Sequence, residues 1–459
     1  MTEESLNAPV VAGTRAMQRC IVTSCGAMYG VHERIYVCRR CGGPLEIGVV
    51  AGETLNSASL RDAWNLRKTS GEPRDQSGVW RFRELLPFDD TTPIVTLLEG
   101  GTPLYDAPRC ADYTGLRALR LKHQGCNPTG SFKDTGMTVA VTHAAMLGAR
   151  TAVCASTGNT AASLAAYSAR AGLKCAILVP QRQITAAKLA QSLDYGAMVC
   201  EIAGNFDDCM QLIQELGDDP SIYVANSINP FRIEGQKTVA FELMEQCRWR
   251  LPDHVVVPGG NLGNSTALGK GFSELKELGL IDRIPKLNVI QAEGAAPFAR
   301  LFAETVSKSE TEPELLSISF LAEQNPQTLA TAIKIGAPVS WQKSLRAVMR
   351  SGGRVTTVSE QEIADAKAVI GRDGIGCEPA SAAAIAGIRK LVRARHICRE
   401  DSVVAVLTGH VLKDPDYVAN YHRGTLALGK TALLGAFRNM PKQVAANKSA
   451  ILSLLSHNG

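Results

Sequence analysis

The chain has 459 residues, 45% hydrophobic and 20% charged, which is enough apolar material for two or three full cores and too much for a disordered or fibrous protein. Lys and Arg number 49 against 44 Asp and Glu, and a net charge of +5 over this length is too thin to mark a nucleic-acid or anionic-membrane binder. Thirteen cysteines are an odd number, and nine are scattered, mostly in apolar runs such as TAVCAS and LKCAILV, where a reduced, buried thiol is expected.

In chain order, the start MTEESLNAPV is acidic and polar rather than basic then apolar, so no secretory signal is expected. No apolar run reaches the roughly 18 residues of a membrane span, and a cytoplasmic protein is predicted. Residues 1–50 carry Cys20-x4-Cys25-x12-Cys38-x2-Cys41, followed by Gly42 and Gly43. Two cysteine pairs, the second turned by glycines, match a four-thiolate zinc ribbon. Its metal would be structural, because four thiolates leave no open coordination position. The first pair is wider than the usual two-residue knuckle, and reduced core thiols are the alternative. His32, in the loop, is expected to face solvent. Residues 51–78 are rich in Ser, Arg, Asp and Lys without a sustained apolar face, and read as a linker.

From 79 to 415, short apolar runs alternate with longer Ala- and Leu-rich stretches, the pattern of strand-helix units around mainly parallel sheets. The strands are expected at 118–123, 151–156, 175–180, 197–202, 254–259, 287–293 and 402–409. Helical patterns such as MTVAVTHAAMLGA, TAASLAAYSARAGL and STALGKGFSELKELGL lie between them. Ligands of open α/β sheets sit beyond the carboxyl ends of strands, and three loops there carry chemistry.

The first loop, 124–137, places Lys133 where a Pro/Gly turn enters a helix. A positive helix end and the neighbouring Phe132 both favour the neutral, nucleophilic amine suited to a Schiff base. A solvated lysine at a helix start is the plain alternative. The second loop, Ser156-Thr157-Gly158-Asn159-Thr160, offers free N–H groups and hydroxyls for a carboxylate and an amide for a ring oxygen, or simply helix caps. The third, Gly259-Gly260-Asn261-Leu262-Gly263-Asn264-Ser265, is a phosphate cradle in outline. It resembles a dinucleotide fingerprint, but Asn264 stands near where the third glycine or alanine belongs, and no Gly-Lys-Ser/Thr closes it as a Walker loop. Together the three describe a pocket for an aldehyde cofactor that carries a phosphate, namely pyridoxal phosphate.

These loops, with 127–137 (NPTGSFKDTGM), 156–160 (STGNT), 226–237 (NSINPFRIEGQK), 257–264 (VPGGNLGN), 328–338 (TLATAIKIGAP) and 407–415 (LTGHVLKDP), resemble the threonine synthase family, pyridoxal-phosphate enzymes of fold type II. The resemblance runs from about 80 to about 418. The first two motifs would also fit cysteine synthases and threonine dehydratases; NSINPFRIEGQK and LTGHVLKDP are what pull the resemblance to threonine synthase. The resemblance implies two open, mainly parallel twisted sheets flanked by helices, with a small ribbon-like segment before them. It implies that Lys133 carries the cofactor and that Asn159 bonds the pyridine 3-oxygen. Gly260, Asn261, Leu262, Gly263 and Asn264 would cradle the cofactor phosphate, and Thr408 would face the pyridine nitrogen. The implied substrate is O-phospho-L-homoserine, converted with water to L-threonine and phosphate by γ-elimination and β-addition. Ser156 and Thr157 would hold its carboxylate. Arg232 is the first choice for its phosphate, with Asn229 and Lys122 behind it and an Arg232–Glu234 ion pair as the structural alternative.

Two positions depart from the family pattern: Thr135 stands where arginine is usual, and Val411 where glycine is usual. The valine would be strained only if that position needs a positive φ. The rival readings are a sibling enzyme acting on O-phosphoserine, a cysteate synthase or sulfhydrylase, and, in another class, an inactive homologue or a zinc-ribbon nucleic-acid binder drawing on Arg34, Arg39 and Arg40. The retained Lys133 argues against the second class. The expected divisions are a larger cofactor domain from 79–136 and 227–415, a smaller inserted domain at 137–226 that closes on substrate, and a helical tail at 416–459 with helices near 426–437 and 442–455. A homodimer, with neither nucleic acid nor membrane as a partner, is the expected assembly. Of the scattered cysteines, Cys126 beside the lysine loop is the one to test for reactivity.

Overall fold

Strands buried on both faces must be apolar throughout, and the central ones here are: β10 (His254–Pro258) and β13 (Val403–Leu407) are buried at every residue. The computed structural model describes residues 16–49, 57–181, 186–308 and 318–456; the acidic N-terminus and the first part of the expected linker lie outside them. The larger sheet has six strands in the order β12 (Val355–Val358), β11 (Lys286–Ala292), β10, β13, β5 (Leu119–His123) and β4 (Leu104–Asp106). All pairs are parallel except β4 with β5. A second, wholly parallel sheet runs β8 (Met198–Ile202), β7 (Lys174–Pro180), β6 (Thr151–Ala155) and β9 (Ile222–Val224). All seven strand expectations are met within a residue or two, and the structure adds the short edge strands β4, β9 and β12. Among the described residues no helix is long and apolar enough to cross a membrane.

The helix that begins at Lys133 (Lys133–Met146) packs on the short helix Phe231–Gln236 at a crossing too close for side chains. A Cβ on Gly235 would fall 1.8 Å from the Thr135 carbonyl, and one on Gly136 would fall 2.7 Å from that of Arg232. Lys133 and Arg232 are therefore carried by two helices whose backbones touch.

The N-terminal segment is a three-stranded antiparallel sheet in the order β2 (Met28–Gly30), β1 (Ala16–Cys20) and β3 (Leu45–Val49). Residues 51–78 are not the linker their composition suggests, because they hold the helix Ser57–Arg67 and a short turn of helix at Pro73–Gln76. The first helix buries only Leu60 and Trp64, too few to register as an apolar face. Trp64 compensates by its size, packing edge-on to Phe82 with ring centroids 4.9 Å apart and stacking on Phe241. Truncation of such a side chain costs about 3–5 kcal/mol. The tail also differs from expectation. After the helix Pro415–Arg423, Gly424 caps it at φ 77°, and a hairpin (Ala427–Leu428 with Thr431–Ala432) turns at Gly429 where a helix was expected. A final helix spans Lys448–Ser456.

His143 joins three parts of the molecule. Its ring stacks on Phe231 at 3.4 Å, and its nitrogens meet the Tyr223 hydroxyl at 2.8 Å and the Val31 carbonyl of the N-terminal segment at 2.7 Å. Burial holds it neutral, with its pKa pulled from 6.5 to about 3. Below pH 6.5 the unfolded chain takes up a proton that the folded chain refuses, so this residue's contribution to stability falls as pH drops toward 3. The unfolding midpoint of the wild type should exceed that of His143→Gln most at pH 7 and above. The gap should then shrink toward pH 5 at about 1.4 kcal/mol per pH unit. A gap independent of pH in parallel melts would contradict this account.

Candidate functional site

Parallel register brings the lysine loop and the loop after β13 together. β13 pairs Leu407 with His123 of β5, so Thr408 and Gln124 leave the sheet side by side. The loops then bond to each other: Phe132 N–H donates to the Thr408 carbonyl and His410 N–H to the Gly130 carbonyl, both at 2.9 Å. Asp134 folds the lysine loop back on the helix that it opens. Its carboxylate accepts from Thr129 N–H (2.7 Å), the Thr129 hydroxyl (2.6 Å) and the Ser163 hydroxyl (2.6 Å), and burial raises its pKa to about 6. Lys133 follows this turn with its amine 4.3 Å from the Phe132 ring centroid. Burial, reinforced by the nearby Arg232 guanidinium and opposed by Glu378, brings its pKa from 10.5 down to about 7. A large part of this lysine is thus neutral near neutral pH, the state that attacks an aldehyde.

The phosphate nest lies beyond β10, where the sheet order splits toward β11 on one side and β13 on the other, the switch point of the fold. Leu262 is left-handed (φ 63°, ψ 10°) and directly precedes the helix Gly263–Glu277, which has no side-chain cap. Among the described residues the N–H groups of Gly260, Asn261, Leu262, Gly263 and Asn264 have no acceptor, so five free donors lie together at the start of a helix. Asn264 Nδ2 donates to Gln124 Oε1 at 3.2 Å, which ties the nest to the lysine loop. Asn264 Oδ1 and Gln124 Nε2 are both buried without a partner. Unpaired donors and polar atoms gathered around a lysine of lowered pKa fit a phosphorylated aldehyde cofactor.

On the second sheet, Ser156, Thr157 and Asn159 follow β6 at the start of the helix Asn159–Ala171. Asn159 Nδ2 donates to Glu378 Oε2 at 2.9 Å, and the Thr408 hydroxyl donates to Glu378 Oε1 at 3.0 Å. Thr408 also lies 3.1 Å from the Ser381 hydroxyl. Glu378, 4% exposed, has its pKa raised by burial, against the pull of Asn159, Thr408, Lys413 and Lys133. It was not expected from the sequence, and neither were Gln124 and Asp134. The available signal was an acid set between Cys377 and the Ala-rich helix Pro379–Arg393, in a stretch otherwise apolar.

The three residues offered for the substrate phosphate differ in what they have free. Lys122 is fully buried and bonded to the Thr102 carbonyl, the Gln246 side chain and the Glu242 carboxylate, which uses its three donors. Asn229 bonds the Val224 carbonyl and Phe231 N–H. Arg232 gives one N–H to the Ala225 carbonyl at 3.1 Å and leaves Nε buried without a partner. Burial lowers its pKa to about 10. The alternative ion pair with Glu234 does not form, since that carboxylate binds Lys237 (2.6 Å) and Lys270. Val411 is not among the residues with positive φ and so carries no such strain. Thr135 is buried and donates to the Phe132 carbonyl, bracing the lysine turn from within.

In the N-terminal segment the sulfurs of Cys20 and Cys41 are 3.5 Å apart, those of Cys25 and Cys38 are 3.6 Å apart, and all four lie within 4.8 Å of one another. Thiolates at about 2.3 Å from a tetrahedral zinc sit about 3.8 Å from each other, so the cluster fits that ion. Gly42 turns the knuckle at φ 71°, with its N–H on the Cys38 carbonyl.

Gly409 lies against the Glu378 carboxylate, and a Cβ there would fall 2.4 Å from its carboxyl carbon. Gly409→Ala should therefore displace Glu378 from Asn159 and Thr408. The purified variant should retain less pyridoxal phosphate than wild type, read from visible absorbance per chain, and undiminished retention would refute the packing argument.

The family described as "Pyridoxal-phosphate dependent enzyme" matches residues 95–409. The threonine synthase of Methanocaldococcus jannaschii is 47% identical over 401 residues, covering 87% of this chain and 93% of that protein. That of Mycobacterium tuberculosis is 48% identical over 338 residues, covering 73% and 88%. Among solved structures, a fungal L-serine ammonia-lyase from Rhizomucor miehei superposes with a TM-score of 0.56 at 18% identity, covering 70% of this chain and 98% of that one. The processed threonine deaminase isoform 2 of Solanum lycopersicum gives 0.55 at 19%, covering 67% and 79%. These two share the fold.

Proposed function

The chain belongs to the pyridoxal-phosphate-dependent enzymes of fold type II, in the threonine synthase family, and on that premise we propose which of its residues carry each part of the reaction. It is a lyase that converts O-phospho-L-homoserine and water to L-threonine and phosphate. The observation that carries the assignment of roles is the meeting of Lys133, the five-donor nest and the Asn159–Glu378–Thr408 cluster at the mouths of β5, β10, β13 and β6. Pyridoxal phosphate, when bound, supplies the electron sink for carbanions at the substrate's α and β carbons.

Around it, Lys133 would hold the cofactor, and its amine would hold and move protons at the substrate's Cα and Cβ. Its pKa near 7 suits both directions of transfer. Gly260 through Asn264 hold the cofactor phosphate through backbone N–H groups. One amide hydrogen of Asn159 is fixed on Glu378, which leaves the other for the ring oxygen. A hydroxyl has a single proton, and Thr408 gives its proton to Glu378 when that carboxylate is charged. Glu378, with its pKa raised, can instead hold a proton of its own on Thr408, which frees the Thr408 proton for an unprotonated pyridine nitrogen. A neutral nitrogen limits charge delocalisation into the ring and favours elimination and replacement over transamination. Ser156 and Thr157 hold the substrate carboxylate at the helix N-terminus, and Arg232 the substrate phosphate.

The larger cofactor domain (79–136 and 227–415), the smaller domain (137–226) closing on substrate, a homodimer and a cytoplasmic location are parts of the same reading. So is a structural zinc held by Cys20, Cys25, Cys38 and Cys41, for which the sulfur spacing is the support. A sibling activity on O-phosphoserine is the competing reading.

Pure protein with O-phospho-L-homoserine should release threonine and phosphate in equal amounts; release of phosphate from O-phosphoserine alone would overturn the assignment. Arg232→Gln should raise KM about tenfold or more with a smaller effect on kcat, as expected for loss of a charge-assisted phosphate contact; an unchanged KM would remove Arg232 from the substrate site. Elemental analysis should find one zinc per chain, lost in Cys38→Ser together with several degrees of melting temperature while pyridoxal phosphate is retained. A metal-free wild type of equal stability would leave the cysteines as packing.

A further inference from the structure

Away from the catalytic cleft, a cavity of about 220 Å3 lies between the helix Glu360–Arg372, the turn at 375–377, Val411 and the helix Pro415–Arg423, with Phe437 and Asn439 of the tail along its edge. Two of its polar groups, Lys367 and the Tyr417 hydroxyl, are buried without an acceptor. Lys367 is only 9% exposed and makes no hydrogen bond or ion pair among the described residues; it senses the Cys377 thiol and Asp414 only at longer range. The Tyr417 hydroxyl is buried without a partner. His422 accepts the Asn439 N–H on Nδ1 (2.9 Å), which leaves Nε2 uncommitted. Arg372 stands at the rim over the Phe437 ring, 4.9 Å from its centroid. Burial, reinforced by the nearby Lys367 and Arg372, lowers the His422 pKa and favours the neutral ring that accepts on Nδ1.

Two of the neighbouring acids are turned to other partners, while Asp414 acts through space on Lys367 and, with Glu360, on Tyr417. Asp365 takes the Tyr421 hydroxyl at 2.7 Å, and Asp373 takes the N–H groups of Arg109 and Cys110 at 3.0 and 2.9 Å. A buried ammonium and a buried phenol without hydrogen-bond acceptors are costly. An anion in the cavity relieves both costs.

The remaining wall is apolar, including Ala364, Ile375 and Val411, and the volume is below the roughly 300–1,000 Å3 of drug-sized sites. We propose that this cavity is a second ligand site that binds a small organic anion, a carboxylate with a short aliphatic body. Its carboxylate meets Lys367, Tyr417 and His422, and its aliphatic part lies against the apolar wall. The site shares backbone with the catalytic cleft without opening into it: Cys377, on the cavity wall, precedes Glu378 and is bridged to His410.

The test titrates holoenzyme with isovalerate and, separately, with inorganic phosphate, read by calorimetry. Isovalerate should bind saturably and with unchanged affinity in Lys133→Ala, while Lys367→Met should weaken it about tenfold or more. Tyr417→Phe, which keeps the ring, should weaken it measurably and decides the matter if Lys367→Met fails to fold. Phosphate should bind more weakly than isovalerate because it cannot use the apolar wall. No saturable isovalerate binding, binding that the Lys367 and Tyr417 variants leave intact, or binding abolished by Lys133→Ala would each overturn the proposal.

Discussion

The register between β5 and β13 is the constraint on which the site rests. Once Leu407 is opposite His123, the next residues of both strands must emerge together, and the loops they start can exchange the two hydrogen bonds between 130–132 and 408–410. Those bonds set where the turn before Lys133 ends. A shift of one residue would reverse the faces of a strand buried on both sides and separate Thr408 from the lysine loop. The six-stranded sheet thus acts on the chemistry through geometry: its cores above and below hold the strands in register, and the register delivers the loops.

Charge is handled in two ways. Away from the cleft, several buried ions are paired: Lys122 with Glu242, Arg81 with Glu245, and Lys237 with Glu234 and Glu274. Such pairs roughly repay their own desolvation and mainly fix positions. In the cleft the pairing is withheld. Lys133 and Arg232 are buried near each other without a carboxylate in contact, and Glu378 is bonded only by neutral donors. Each of these three therefore has a pKa displaced toward its neutral form, as expected of groups that are to exchange protons or bind anions from solution.

Much of this was legible in the sequence because the relevant signals are local. The strands are continuous apolar runs, the nest is a glycine cluster following one of them, and Lys133 sits in a motif with its own turn. What stayed hidden depends on contacts between distant segments. Glu378 is one acid before an Ala-rich helix, and only the fold brings Asn159 and Thr408 to it. Lys122 looks like a free cation at the end of a strand until Glu242, 120 residues later, is found against it. The helix at 57–67 has too few apolar positions to be seen by periodicity, since a single tryptophan does most of its packing. Helix propensity misled in the tail, where Gly424 and Gly429 adopt the left-handed turns that break the expected helix.

The N-terminal segment touches helices of the larger sheet's layer and the edge of the smaller sheet, which gives its cysteine cluster a structural reach. On one side Lys343 donates to the Leu45 carbonyl at 2.9 Å, Lys270 to that of Ile47, and Arg346 pairs with Glu46. On the other it covers β9, the edge strand of the smaller sheet: Arg34 binds the Ile222 carbonyl and the Tyr36 hydroxyl accepts Val224 N–H at 2.7 Å. An uncovered parallel edge would present these groups to solvent or to another chain. The residues immediately after β9 hold the substrate-side groups, because Asn229 bonds the Val224 carbonyl and Arg232 the Ala225 carbonyl. Tyr36, Val224, Asn229 and Arg232 thus form a short, continuous path of contacts from the cysteine-bound fold to the cleft. A ribbon that loses its shape releases the strand edge from which Arg232 takes its position, so the four cysteines act on Arg232 without approaching it.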